Sequence, residues 1–170
     1  MENFLFFARA LFAEIVGTIS GFGSSILFVP IASLFFEFKY VLGITAIFHV
    51  FSNLSKIMLF AKGIQYRILF WLGIPAVIFV IIGAKLTSMV DEQQMVLWMN
   101  IFLLSLAIFL IVKPEIKLRQ NSTNLILGGV LSGFLAGIVG TGGAIRGITM
   151  AAFNLSKDVF VATSAAIDLG

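Results

Sequence analysis

Long runs of uncharged, apolar residues constrain this chain more than any other feature. Crossing the hydrocarbon core of a bilayer takes about 20 apolar residues in a helix. The uncharged runs near that length are Ile15–Phe36, Ile68–Ala84, Gln93–Val112 and Gln120–Ile145, with Tyr40–Ala61 added if His49 and Lys56 are tolerated. Because backbone in lipid must satisfy its own hydrogen bonds, these runs predict helices. Their unbroken length does not fit the short alternating segments of a β-barrel.

The composition indicates that lipid is the solvent for much of this surface. Hydrophobic residues make up 60% of the chain and charged residues 11%, against about 45–50% and 25% in soluble domains. We therefore predict an all-α fold, a polytopic transmembrane helical bundle. The formal charge of +3 does not indicate nucleic-acid binding, because Lys and Arg stand at the ends of apolar runs instead of on a polar face.

Loop charge predicts the orientation. Lys62–Arg67 and Lys113–Arg119 lie two spans apart, so they share a side, and they carry most of the basic loop residues. The positive-inside rule places both loops in the cytoplasm. We expect a multi-pass protein of the bacterial plasma (inner) membrane with a cytoplasmic N-terminus.

The first apolar segment is too long for one straight span. As a helix, residues 4–36 would reach about 50 Å against a hydrocarbon core of roughly 30 Å. Glycines and serines cluster in its middle, which predicts a break near Ser20–Ser25. Non-helical backbone at membrane depth is tolerated only where protein or a water-filled cavity surrounds it. The alternative is a helix whose small residues serve only for close packing.

A similar design recurs 120 residues later. Gly17–Ser24 aligns with Gly137–Ala144, and small residues at four-residue spacing precede both segments. We predict two internal repeats, each opening with a glycine-interrupted helix. The first repeat, 1–119, holds about four helices. The second, 120–170, looks like the truncated start of another repeat, and whether the two are parallel or inverted stays open.

Paired interrupted helices point to the binding site of a transporter, and a helix N-terminus favours anions. The candidate substrate-binding residues are Ser20, Gly21, Gly23, Ser24, Ser25, Gly140, Thr141, Gly142, Gly143 and Arg146. Glycine allows close approach, and the hydroxyl groups add donors. A cation near a helix start is unfavourable for the helix itself. Arg146 therefore either faces a ligand or a buried carboxylate, or extends to the interface.

A polar stripe runs along the second apolar segment. The candidate coupling or pathway residues are Thr45, His49 and Asn53 at four-residue spacing, together with Asp168, which aligns with His49 at a spacing of 119. Ionisable residues inside a membrane mark transport paths. Our hypothesis is that His49 and Asp168 flank the path and that one of them couples transport to protons. The alternative for His49 is a neutral imidazole bonded to a neighbour. We expect Lys56 to extend to the interface and Glu14 to form a structural ion pair.

Several short segments resemble the sulfite exporter TauE/SafE family of permeases. They are Gly17–Pro30, Gly43-Ile44-Thr45, Lys62-Gly63 followed by Tyr66-Arg67, Gly133–Gly147 and Ala162-Thr163-Ser164. The resemblance covers the whole chain. It implies a two-repeat permease that exports or imports sulfite, sulfonates or related sulfur-containing organic anions.

We therefore expect a secondary transporter for a small sulfur-containing anion, coupled to protons or another ion. An anion channel and a non-catalytic membrane assembly subunit are the alternatives. An enzyme is not expected, because the chain has one His, no Cys and no Gly-x-Ser-x-Gly elbow. We predict no catalytic residues, metal ligands or cofactors. The expected partners are a small anion, the lipid bilayer and a coupling proton or cation, without nucleic acid; a homo-oligomer is left open.

Overall fold

The structure is a computed structural model that describes residues 12, 15–17, 23–113 and 117–169. Every element within these ranges is helical, which confirms the all-α prediction. Phe12 and residues 15–17 are helical as well. The predicted roles of Ser20, Gly21 and Glu14 fall on residues outside the described ranges.

Seven helices position the candidate site. They are α1 (Ser25–Ala32), α2 (Phe38–Phe60), α3 (Tyr66–Thr87), α4 (Glu92–Val112), α5 (Ser122–Val139), α6 (Gly142–Ala151) and α7 (Lys157–Leu169). Within the described ranges, α2 with the turn that follows it, α3, α4 and α5 are long and apolar enough to cross a membrane. The chain is therefore an integral membrane protein with several spans.

Apolar side chains cover the outside of the described helices. Met58, Leu34 and Ile111 are about four-fifths exposed. Of the most apolar window of α2, only 11% is buried within the molecule. Exposed apolar surface of this extent is stable where acyl chains cover it, and isolated spans then associate through close packing.

Helix α3 contains a π-helical segment at Leu69–Gly73, just before Pro75. Proline cannot donate a backbone hydrogen bond, and its ring collides with the carbonyl group four residues earlier in a regular helix. A wider π turn before the proline relieves this collision and is often found at functional positions.

Glycines on α5 allow it to approach the backbone of α3. A Cβ atom on Gly129, Gly133 or Gly137 would collide with the carbonyl oxygens of Leu72, Ala76 and Val80, respectively. The two helices run parallel, since both sets of numbers rise together. Small residues that let helix backbones approach are the usual interface of membrane helices. This glycine ladder therefore serves in packing, as the small-residue alternative proposed.

Helix α5 ends immediately after this ladder. Gly140 adopts a left-handed conformation (φ +73°, ψ +6°), and its N–H group donates to the Ala136 carbonyl at 3.0 Å. Left-handed glycine is the common way for a helix to stop. Helix α6 begins at Gly142 and returns along α5, because a Cβ on Gly142 would strike Ser132 and Ala136, while Thr149 lies against Gly128.

Contacts at the two ends of the bundle fix the direction of the short helices. At one end, which we call the Glu92 end, the carboxylate of Glu92 accepts from the N–H group of Phe38. At the other, the Lys62 end, Leu118 donates to the Ala152 carbonyl at 3.0 Å. Helix α1 leads toward the Glu92 end and α6 toward the Lys62 end. The two short helices therefore run in opposite directions.

Candidate functional site

The N-termini of α1 and α6 meet inside the bundle. Gly23, just before α1, has a φ of +84°, and a Cβ atom placed on it would lie 3.7 Å from the Cα of Gly143. Gly143 belongs to the first turn of α6. Two helices that run in opposite directions therefore start from one point, and both present the positive ends of their dipoles there.

Neither helix start is capped by its own N-cap side chain. The N-cap residues are Ser24 and Thr141, and neither makes a side-chain capping hydrogen bond. Ser24 instead lies 3.0 Å from His49, between Oγ and Nε2. The Thr141 hydroxyl is fully buried and has no hydrogen-bond partner. The first amide groups of a helix need acceptors from outside it, so both starts suit an anionic ligand.

A cavity of about 70 Å³ lies where the two helices start. Lys56 and Ala136 contribute to its wall, together with ten of the predicted site residues: Gly23, Ser24, Ser25, His49, Asn53, Gly140, Gly142, Gly143, Arg146 and Asp168. His49 lies halfway along α2, so this cavity is near the middle of a span. Binding at the midplane, between discontinuous helices, is typical of secondary transporters.

Arg146 is buried and paired on α6. Its Nη2 donates to Asp168 Oδ2 at 2.6 Å, and its Nε donates to Ser164 Oγ at 3.0 Å. The side chain of Arg146 is 9% exposed and that of Asp168 is 23% exposed. The sequence left open whether Arg146 faces a ligand, pairs with a buried carboxylate or extends to the interface. In the structure it pairs with a carboxylate that is only partly buried.

The remaining predicted pathway residues lie on α2 near the cavity. Asn53 is almost fully buried and lines the small cavity. Thr45 is also buried, and its hydroxyl donates to the Val41 carbonyl at 2.7 Å. Thr45 does not reach the small cavity but lines a larger cleft beside it. The stripe therefore faces the interior along its length, as helical spacing implies.

This larger cleft has a volume of about 510 Å³. It extends from Lys39 and Thr87, near the Glu92 end, to His49, Arg146 and Asp168. The last three residues also line the small cavity. The cleft therefore lies directly beside the cavity, shares part of its wall and extends from there toward the Glu92 end.

Sequence reasoning missed two contributors to this site. Ser164 accepts a hydrogen bond from Arg146, and Lys56, expected at the interface, contributes to the cavity wall. The repeat alignment contained a signal for Ser164, because Ser164 aligns with Thr45 at the same spacing that pairs Asp168 with His49. Lys56 also had a signal, because its spacing of 11 residues from Thr45 places it on the polar stripe of α2. We expected it at the interface only because Lys62 follows six residues later.

Comparison with known proteins shows which family the chain belongs to. A family model described as sulfite exporter TauE/SafE matches residues 6–169. The chain is 31% identical over 147 residues to a protein of Methanocaldococcus jannaschii named as a probable membrane transporter protein, and the match covers 77% of this chain and 54% of that relative. The chain thus spans about half the length of the curated relative it matches. No solved structure matches it. Having several apolar spans and a family match over nearly its whole length, the chain belongs to the sulfite exporter TauE/SafE family of membrane transporters.

Proposed function

We propose that this chain carries a small sulfur-containing anion, such as sulfite or an organosulfonate, across the plasma membrane by ion- or proton-coupled secondary transport. One observation carries the proposal: two uncapped helix N-termini meet at a cavity inside the bundle, next to Gly23 and Gly143. Each N-terminus supplies roughly half a positive charge together with free N–H donors. The name of the matching family agrees with an oxyanion of sulfur as the substrate.

The side chains around the cavity suit an oxyanion. Arg146 and Lys56 provide positive charge, and the hydroxyl groups of Ser24 and Ser25 belong to the same wall. A sulfite or sulfonate group has three oxygens, each of which accepts hydrogen bonds from a different direction. Donors that converge from two helices and from Arg146 can therefore satisfy one such group. Charge-assisted hydrogen bonds of this kind are about twice as strong as neutral ones.

His49 and Asp168 are the candidates for ion coupling. Both line the small cavity and the larger cleft. His49 contacts the N-cap of α1, while Asp168 contacts the first turns of α6. Protonation of either residue would change the charge that an entering anion meets. The positive-inside rule further suggests that the Lys62 end is cytoplasmic, with the N-terminus on the same side.

Uptake by the purified protein in liposomes tests the proposal. The substrate panel contains sulfite, taurine and sulfoacetate, and empty liposomes serve as the control. We expect saturable uptake of at least one of them, driven by a proton or ion gradient. A conductance without saturation would instead support an anion channel. Absence of flux for the whole panel, from protein shown to be folded, would favour an assembly subunit.

A further inference from the structure

The pair formed by Arg146 and Asp168 occupies the donors that an anionic substrate needs. Nε and Nη2 lie side by side on one edge of the planar guanidinium group, the edge that binds carboxylates and other oxyanions in two-point fashion. Ser164 and Asp168 each take one of these donors. Together their oxygens stand where two oxygens of a sulfonate or sulfite group would bind.

We propose that Asp168 is a tethered competitor for the anion site: its carboxylate holds Arg146 until a substrate anion displaces it, and protonation of Asp168 favours the exchange. This inference rests on the anion-transport function proposed above. It goes further by naming the residue that links the anion to the proton. A displaced carboxylate loses its cation partner, so anion binding favours protonation of Asp168 and is accompanied by proton uptake.

Charges around Asp168 agree with this role. On α2, the titratable or charged residues that line the cavities with Asp168 are Lys39, His49 and Lys56, and on α6 there is Arg146. The parts of α3 and α5 that line the cleft carry no titratable side chain. Asp168 is thus the one carboxylate among the described residues of these walls. Its negative charge opposes an entering anion, and its protonation removes that opposition.

The exchange requires little movement in the helices themselves. The side chain of Asp168 is more exposed than that of Arg146. A rotation of the Asp168 side chain suffices to free Nη2 of Arg146. Ser164 lies one turn earlier on the same helix and is uncharged, so its hydroxyl group can give up Nε to a second oxygen of the same anion.

The proposal can be measured because proton binding and anion binding are thermodynamically linked. If protonation of Asp168 strengthens anion binding, anion binding must raise proton affinity by the same factor. Methanesulfonate is the probe, because its charge does not change between about pH 5.5 and about pH 8, the range in which the coupling is tested. For the wild-type protein reconstituted in lipid, we expect methanesulfonate to bind about tenfold more tightly at the lower pH.

The decisive variant is Asp168→Asn, with Asp158→Asn as the matched control. Asp158 is an exposed acid in the first turn of the same helix. Asp168→Asn should bind methanesulfonate tightly at both pH values, whereas Asp158→Asn should keep the wild-type affinity and pH dependence. Retention of the pH dependence in Asp168→Asn, or binding no tighter than that of the wild type at the higher pH, would overturn the proposal.

A measurement on the wild type covers the case in which Asp168→Asn does not fold. Methanesulfonate added to the protein in weakly buffered solution should be accompanied by proton uptake, seen as a rise in pH. Binding without proton uptake overturns the competitor role and leaves the anion-transport function standing. If the folded wild type binds neither methanesulfonate nor sulfite at either pH, both proposals fail.

Discussion

Gly23 and Gly143 face each other at the point where two oppositely directed helices begin. A side chain on Gly23 would come within 3.7 Å of the Gly143 backbone, so the two segments are close enough for one small ligand to contact both. Gly23 itself has a positive φ, a conformation that costs other residues roughly 1–2 kcal/mol. Glycine at this position therefore provides the turn, since a Cβ atom there would make only an ordinary van der Waals contact with Gly143.

The start of α6 should tolerate no added methyl group. A Cβ on Gly142 would strike the Ser132 carbonyl and Ala136 of α5, so Gly142→Ala should lower the free energy of unfolding by about 1–3 kcal/mol. Gly43→Ala is the control, because a Cβ there meets no atom within 4 Å. Thermal unfolding in detergent micelles measures both variants. Equal stability of the two would contradict the close contact between α5 and α6.

The hydrogen bond between Ser24 and His49 should contribute to anion binding. It connects the N-cap of α1 to the polar stripe of α2 at 3.0 Å. Ser24→Ala should weaken sulfite or methanesulfonate binding about two- to tenfold, the usual effect of one lost hydrogen bond. Ser55→Ala is a matched control, since Ser55 is exposed and its hydroxyl donates to its own helix at Phe51. Calorimetric titration should show the control unchanged; a comparable loss in both would argue against a local role.

Arg146 should not be replaceable by lysine. The guanidinium group supplies two adjacent donors, whereas an ammonium group is a single point charge. Arg146→Lys should therefore weaken anion binding roughly ten- to hundredfold. Arg67→Lys, an exposed arginine near the Lys62 end, should behave as the wild type. Uptake kinetics in liposomes give the comparison, and an Arg146→Lys protein with normal affinity would rule out two-point binding.

His49 should affect affinity without setting the pH dependence. Glutamine retains a group able to hydrogen-bond to Ser24 but cannot be protonated. His49→Gln is therefore expected to lower methanesulfonate affinity less than tenfold and to keep the wild-type pH dependence. Methanesulfonate binding measured at acidic and alkaline pH shows whether His49 sets the pH dependence. If His49→Gln abolishes the pH dependence, the imidazole and not the Asp168 carboxylate carries the coupling proton.

Much of the architecture could be predicted from hydropathy. The runs Tyr40–Ala61, Ile68–Ala84 and Gln93–Val112 agree within a few residues with α2, α3 and α4, because charged residues end each of them. The run Gln120–Ile145 is different. Its composition stays apolar throughout, yet α5 ends at Val139. Only the glycines predicted that end, because hydropathy depends on side-chain polarity and contains no information on backbone conformation.

The sequence pattern indicated which residues would lie together, but not how they pair. Helical spacing is enough to bring Thr45, His49 and Asn53 onto one face. The partner of Arg146 could not be predicted from the sequence, because its ion pair with Asp168 depends on how α6 packs against α7. The glycine ladder likewise allowed two interpretations. In the structure it packs against α3 and directly precedes the left-handed Gly140, so packing and interruption are successive features of one segment.

Amide chemical shifts offer the most direct measurement of whether one anion touches both helix starts. The protein would be labelled with ¹⁵N at glycine and serine, and sulfite would be titrated in lipid micelles. We expect the amide signals of Ser25 on α1 and of Gly142 and Gly143 on α6 to shift along one common saturation curve. Shifts at only one of the two helices, or only in the exposed basic loop at Lys117–Arg119, would contradict a shared anion site.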